Sequence, residues 1–450
     1  MDEAVPARGG HAAGTSGAAA DTFGPPGSAI ASSDAAGSTD GARRSGDRVV
    51  VVFGGGRLFG QERANLEVID AVVAAGASVH LIVSKNFYSR NTLKAVRKRG
   101  YPHSVGMFLY LRRSELSVRH LWRNVVAFVR DSRNLSRQIK AIDATLVYTF
   151  NVSHLTTLLP ALLATRTRVV FRAGDVPPQN NVVLRAAWRI VRRRVNLFVG
   201  NSVFVARRLA ALGVPGERLA VIYSRPPSRG GDLPAPAVLE AIPSGAPVVA
   251  YLGQVAEHKG VGVLVEAFRA VAERQSEAHL LIAGVASDQS SFARELKARV
   301  EADPALASRV HFTGFVENVG AVLARARVHC APSLWEEPLA NTVLEAKAAG
   351  VPSIVFASGG LPEVVADGEE GRVVRGKTAE ALAEAIEPYL SDAGRAAREG
   401  EAARASLARI GADRFAQNWT ATLAGHPPAS ALALGRAAAA EAERSPPSGS

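Results

Sequence analysis

Two kinds of hydrophobic run alternate along the chain. Short apolar runs rich in β-branched residues recur in the first half at Val49–Phe53, Ser78–Val83, Leu146–Thr149, Arg168–Phe171, Leu197–Asn201 and Leu219–Tyr223. The second half repeats them at Val248–Leu252, His279–Ala283, Val310–Thr313, Val328–Ala331 and Ser353–Ala357. Runs without polar alternation read as strands buried on both faces, as in a parallel sheet. Between them lie longer stretches of helical spacing, such as 61–75, which Gly76 ends. Strand and helix in alternation predict parallel sheets covered by helices on both sides. The pattern breaks at residues 224–247, rich in Pro and Gly, which read as an interdomain linker. The expected fold class is α/β, with one Rossmann-like domain over 47–223 and another over 248–410.

The ends follow different rules. Residues 1–46 are mostly Ala, Gly, Ser and Asp, too poor in large apolar groups to offset the entropy of ordering, and are expected to be disordered. Residues 411–424 read as a helix whose Phe415 and Trp419 dock on a domain. After His426 the composition returns to Ala, Pro and Ser, so 425–450 is expected to be a second disordered tail. Over all 450 residues the hydrophobic share is 47%, as in a globular protein. No apolar run reaches the ~18–20 residues of a membrane span, and the N-terminus lacks a charged-then-apolar leader pattern. A cytoplasmic protein is expected. The single Cys330 excludes an internal disulfide framework, and its apolar strand makes it a small core residue.

Charge changes the picture. Of a net +12, residues 47–230 carry 30 Lys and Arg against 9 Asp and Glu, while residues 231–450 carry 20 against 27. A basic half beside an acidic one points to an anionic partner for the first. The basic groups of residues 85–140 alternate with Leu, Val, Phe and Trp as one or two amphipathic helices would, which fits either a solvated outer face or an anionic membrane surface. Aromatic residues do not interleave with them as a single-strand stacking platform requires, and no nucleic-acid partner is expected.

The candidate chemistry centres on Ala331–Gly350, APSLWEEPLANTVLEAKAAG. A strand end and a turn at Pro332-Ser333 lead into a helix expected to start at Pro338 and stop at Gly350. Glu337 stands at its mouth and Glu345 lies eight residues on, about 80° around a helix of ~100° per residue, so both face one cleft. A helix mouth offers unpaired N–H groups and a partial positive charge suited to phosphate, and a carboxylate further along suits sugar hydroxyls. Lys259, in the loop after Val248–Leu252, adds a point charge that phosphate accepts. The first strand ends in Gly54-Gly55-Gly56, but Phe59 stands where a dinucleotide fingerprint needs its third glycine. The turn serves either tight strand–helix packing or close approach to a ligand. Asn151, His154, Arg172 and Asp175 follow further strands, where open α/β sheets bind ligands.

Taken in order, these motifs resemble glycosyltransferase family 4, retaining enzymes of the GT-B fold, over residues 48–424. The resemblance rests on Gly253-Gln254 with Lys259-Gly260, Pro332-Ser333, Glu337 with Glu345, Gly359-Gly360 with Glu363, and the stretch around Phe415 and Trp419. It implies two Rossmann-like domains facing across a cleft, with the last helix crossing back to the first. By resemblance Glu345 binds the ribose of the donor nucleotide and Glu337 the transferred sugar. The backbone of Leu339, Ala340 and Asn341 holds the diphosphate together with Lys259. Backbone at Phe315 and Val316 meets the base, and Gly253 and Gln254 belong to the donor-binding set. Gly54, Gly55 and Gly56 border the acceptor and the phosphates. Three stretches depart from the family. Gln254 replaces its usual Arg, which Arg172 compensates if it reaches the diphosphate. Glu337-Pro338-Leu339-Ala340 replaces Glu-Gly-Phe-Gly, and Arg172-Ala173-Gly174-Asp175 lacks the His of many relatives.

The implied activity is metal-independent, retaining transfer of a hexose from a nucleotide-diphosphate sugar, with no cofactor. The acceptor is a glycan or lipid-linked acceptor of cell-surface or exopolysaccharide synthesis, met at the anionic inner face of the membrane. A GT-B epimerase or phosphorylase, or a basic module binding nucleic acid or membrane without transferase activity, are the alternatives.

Overall fold

The computed structural model describes residues 48–53, 60–84, 90–106, 118–165, 167–176, 182–226, 233–286 and 291–444. The turn of Gly54, Gly55 and Gly56, and Arg112 and Arg113 of the basic zone, lie outside the described residues.

Seven parallel strands form the first sheet: β1 (Arg48–Phe53), β2 (Ser78–Ser84), β3 (His103–Gly106), β4 (Leu146–Thr149), β5 (Arg168–Ala173), β6 (Leu197–Gly200) and β7 (Leu219–Val221). Their spatial order is 3-2-1-4-5-6-7. Six parallel strands form the second: β8 (Val248–Leu252), β9 (His279–Ala283), β10 (Val310–Gly314), β11 (Val328–Ala331), β12 (Ser353–Phe356) and β13 (Gly371–Val374). Their order is 10-9-8-11-12-13. In both, the order reverses beside the first strand, and the crevice there lies at the carboxyl ends, where open α/β sheets take ligands.

The β-branched runs form strands because both faces are covered. Val49, Val51 and Phe53 enter one core with Leu66 and Ile69, whereas Val50 and Val52 enter another with Leu135, Leu155 and Leu158. Successive side chains point to opposite faces, so an unbroken apolar run feeds two cores. Cys330 is wholly buried, and burial pushes its thiol far up, so it is a packing residue.

Two strands, β3 and β13, carry no apolar run and lie at sheet edges, where one neighbour suffices. From Leu233 on, the described part of the linker is more ordered than its composition implies. Arg325 donates to the carbonyls of Ile242 and Pro243 at 3.2 and 2.8 Å, tying that stretch to the second domain.

The helix Phe415–Ala424 returns to the first domain, where Phe415, Trp419 and Leu423 join the β1 core. The expected loose tail after His426 is corrected: Ala429–Arg444 is a helix lying on the helix Val203–Ala211 and on β7. Small residues do the packing. Ala431, Ala438 and Ala439 are buried, and a Cβ on Gly435 would stand 2.1 Å from the Leu219 carbonyl oxygen. An Ala-rich stretch reads as low complexity, yet Ala is also the best helix former and lets two backbones approach closely.

Candidate active site

Three loops at the carboxyl edge of the second sheet meet at Glu337. The first follows β8 and ends at Gly260, whose φ is +72°. A Cβ there would lie 1.8 Å from the Pro332 carbonyl oxygen, so only glycine lets this loop close on the one after β11. The Leu334 N–H donates to the His258 carbonyl at 2.9 Å and seals the contact. Lys259 Nζ is thereby placed 2.5 Å from Glu337 Oε2. That oxygen also accepts from Trp335 Nε1 at 2.9 Å and Ser333 Oγ at 3.2 Å. The Lys259 ammonium lies 5.2 Å from the centre of the Trp335 ring, a cation–π contact, and His258 meets the same ring edge-on. Burial first and the Lys259 charge second lower the pKa of His258, against the pull of Glu337.

The third loop follows β12. The Gly360 N–H donates to the Glu337 carbonyl at 2.8 Å. A Cβ on Gly359 would be 2.2 Å from that carbonyl oxygen, and one on Gly360 2.3 Å from the Pro338 oxygen. Pressed between loops, Glu337-Pro338 cannot take helical form. The helix therefore runs from Asn341 to Ala349, not from Pro338, and the 80° relation of Glu337 to Glu345 does not apply. Leu339 is buried in a core with Val343 and Leu344. Ala340 is the extended residue before the helix and brings no side-chain cap, so the N-terminal N–H groups begin at Asn341. Gly350 ends the helix as expected, in left-handed conformation. Glu345 is half-buried on it, two residues before Lys347, whose ammonium is buried against Glu370.

The other expected residues divide. The Gln254 side chain is exposed, and its carbonyl accepts from Tyr251 Oη at 2.7 Å, which fixes the loop at Gly253. Phe315 is 58% exposed beyond β10, with Val316 half-buried behind it. The Arg63 guanidinium of the first domain lies 5.6 Å from the Phe315 ring centre. Asp175 faces the Glu337 cluster: loss of hydration raises its carboxyl, the Val176 N–H opposes this at 2.7 Å, Glu337 raises it further and Lys259 lowers it. Arg172 is only 1% exposed. Its Nη2 donates to Ser224 Oγ at 2.9 Å, and it is enclosed in the first domain instead of opening on Lys259. Lys259 and Glu337 are thus in contact, Asp175 is near enough for both charges to act on its carboxyl, and Arg172 is not brought to them.

Sequence reasoning overlooked Trp335 and Ser333 as partners of the Glu337 carboxylate. An aromatic in a polar loop, two residues from a site carboxylate, is the signal that marks Trp335. Among the described residues, no three His, Cys, Asp or Glu side chains gather as a metal centre.

Residues 238–392 match the family model described as Glycosyl transferases group 1. Over 158 residues the chain is 32% identical to the lipopolysaccharide core biosynthesis mannosyltransferase LpcC of Rhizobium leguminosarum bv. viciae, covering 35% of this chain and 44% of that one. It is 34% identical over 166 residues to the GDP-mannose-dependent alpha-(1-6)-phosphatidylinositol monomannoside mannosyltransferase of Mycolicibacterium smegmatis, covering 35% and 42%. The matched stretch therefore spans less than half of these two relatives. Among solved structures, Anabaena Alr3699/HepE in complex with UDP and glucose superposes with a TM-score of 0.66 at 19% identity, over 84% of this chain and 99% of that one. That likeness and the two parallel sheets give the fold as GT-B.

Proposed function

We propose that this chain, whose second domain is a Glycosyl transferases group 1 domain, is a retaining, metal-independent glycosyltransferase. It moves a hexose from a nucleotide-diphosphate sugar to a glycan or lipid-linked acceptor of cell-surface polysaccharide synthesis, and it needs no cofactor. The observation that carries this reading is the Lys259–Glu337 pair at 2.5 Å, with Glu337 four residues before the N-terminus of the helix Asn341–Ala349, whose cap residue Ala340 supplies no side-chain acceptor. Breaking the bond between the sugar C1 and the phosphate oxygen leaves its electron pair, and negative charge, on the diphosphate. Lys259 and the helix N–H groups face that charge, and stabilising it lowers the barrier. Glu337 holds the sugar hydroxyls and Glu345 the ribose. The acceptor oxygen bonds to C1 on the face the diphosphate leaves, and its proton passes to a donor phosphate oxygen. Asp175 lines the acceptor side.

The acceptor side includes an anionic membrane surface. The helices Val118–Ala141, Val152–Leu163 and Val182–Arg194 cover one face of the first sheet. On the first, Arg130, Arg133, Arg137 and Lys140 point outward beside Val126, which is 49% exposed, and Val129. On the third, Arg189 and Arg193 flank exposed Ile190. Basic groups around protruding apolar ones match the boundary of anionic lipid, at ~1 kcal/mol per basic group. Among the described residues no helix is long and apolar enough to cross a membrane.

Calorimetry of the chain with UDP, GDP, ADP and their sugars tests the donor site. One nucleotide is expected to bind, equally with Mg²⁺ or EDTA, and to lose affinity in Glu345→Ala. A folded chain that binds none refutes the reading. Sedimentation with vesicles tests the surface: binding to anionic and not neutral vesicles, reversed by salt, is expected, and binding to neither refutes it.

A further inference from the structure

The loop that holds the Glu337 backbone also reaches into the first domain. Glu363, three residues after Gly360, directs its carboxylate at the N-terminus of the helix Val203–Ala211. It accepts the Val203 N–H at 2.7 Å, the Phe204 N–H at 2.5 Å and the Tyr223 hydroxyl at 2.9 Å. The next N–H, of Val205, goes to the side chain of Ser202, the helix cap, and that of Ala206 to the Ser202 carbonyl. The first turn of this helix is therefore satisfied jointly: one residue of its own domain takes two N–H groups, and one carboxylate of the other domain takes the first two. A helix N-terminus attracts a carboxylate through its dipole and its unpaired N–H groups. The carboxylate reaches it because position 360 is glycine: a Cβ there would be 3.1 Å from the Ser202 Cβ and Oγ as well as 2.3 Å from the Pro338 oxygen. Glu363 and Tyr223 are each withdrawn from water. Burial, the largest influence on both, raises the two pKa values, and the two N–H donors and the tyrosine hydroxyl partly offset it for Glu363.

We propose that Glu363 is an interdomain latch: it holds the two domains closed on each other and thereby positions Glu337, to which the same loop is bonded. The purpose of the latch rests on the transferase reading; its existence does not. Glu363 touches neither substrate nor reacting atoms in this scheme and is a positioning residue. When the domains part, Val203 and Phe204 lose their acceptor to water, and the Gly359-Gly360 loop is free to shift against the Glu337 carbonyl. The groups proposed to hold the nucleotide, Lys259, Glu345 and the N-terminus of the helix Asn341–Ala349, lie within the second domain, so opening spares nucleotide affinity and removes the acceptor-side wall from Glu337.

The test uses the full chain and Glu363→Gln, whose amide keeps the size but loses the charge and turns one of the two acceptor oxygens into an N–H donor facing the helix N–H groups. Hydrogen exchange of peptides covering 201–206 is expected to speed up by about tenfold or more, and X-ray scattering to show an expanded particle. Nucleotide affinity is expected to stay within about twofold while kcat falls by about tenfold or more, the split expected of a residue governing closure. Tyr223→Phe removes one donor and no charge, and is expected to move exchange and scattering the same way by less. Unchanged exchange and scattering in Glu363→Gln, or in Tyr223→Phe should the first variant not fold, overturn the latch. A wild-type chain that binds no nucleotide sinks the transferase reading, while exchange and scattering still decide the latch.

Discussion

Lys347→Met should destabilise the second domain by about 3 kcal/mol. Lys347 lies on the helix Asn341–Ala349 with its side chain 1% exposed, and its partner Glu370 is 6% exposed. The ammonium donates to Glu370 Oε2 at 2.6 Å and to Ser406 Oγ at 2.7 Å. Met fills nearly the same volume, so the cost is that of stranding a buried carboxylate, not of a cavity. Breaking a buried pair from one side costs about 3–5 kcal/mol. The low end applies because Glu370 keeps two partners: the Ala366 N–H at 3.0 Å and Arg409, more exposed, at 3.0 Å. At a slope of about 3 kcal/mol per molar, the urea midpoint of the second domain should fall by about 1 M. Trp335 fluorescence reports on that domain. Adding Glu370→Gln removes the stranded charge and should return about half or more of the loss, a coupling seen only between residues in contact. If Lys347→Met leaves the midpoint in place, or the double variant is as unstable as the sum of the singles, the pair does not anchor this helix. Glu345, the proposed ribose ligand, sits two residues away, so nucleotide affinity should weaken with the anchor even where the domain remains folded.

Other outcomes follow from the same contacts. On the proposed mechanism, in which its charge acts on the leaving diphosphate, Lys259→Met should lower turnover by about 10²–10³ with a smaller change in donor KM; steady-state kinetics reads this. Trp335→Phe keeps the ring under Lys259 but removes the N–H bonded to Glu337, and should lower kcat/KM by about tenfold, the effect of one hydrogen bond to a charged group. His329 is wholly buried and its pKa is pushed down to about 3. A depressed folded value means the unfolded chain binds the proton first, so stability is full above pH about 6.5 and falls between there and about 3, by up to about 1.4 kcal/mol per pH unit. Burial lowers His279 and His311 as well, which adds to the slope, and His329→Phe should flatten it in denaturation series across pH. Gly435→Ala should cost about 1–3 kcal/mol and lower the melting temperature of the first domain, because the added methyl meets the Leu219 carbonyl.

The fold was largely legible because a doubly covered parallel sheet demands strands with no polar interruption. Val248–Leu252, His279–Ala283 and Val328–Ala331 have the same bounds in sequence and structure. Edge strands escape that demand: β3 reads HSVG and β13 reads GRVV, and neither differs locally from a loop. The helix Ala429–Arg444 was hidden for a related reason. Its contacts are made by Ala and Gly against backbone, so its amphipathicity lies in size more than in polarity. The start of the helix after Glu337 was misplaced because Pro338 and Gly350 bracket a credible helix by local rules, while bonds from a loop some twenty residues downstream forbid its first turn.

The same distinction separates what motif and geometry each contribute at the site. A motif supplies residue types; the loops that meet at Glu337 supply its orientation, and each contact depends on an atom that is absent. Gly260 admits the Pro332 carbonyl, Gly359 the Glu337 carbonyl, and Gly360 both the Pro338 carbonyl and Ser202 of the other domain. One carboxylate oxygen of Glu337 therefore meets an ammonium, an indole and a hydroxyl, while its backbone is tied to a loop that ends on the first domain through Glu363. A side chain held from both ends in this way has little freedom to reorient within the second domain alone. If the proposed latch holds, its position relative to the first domain depends on the interdomain contact, so control of the proposed transfer would lie in the closure of the cleft, with donor affinity left to the second domain.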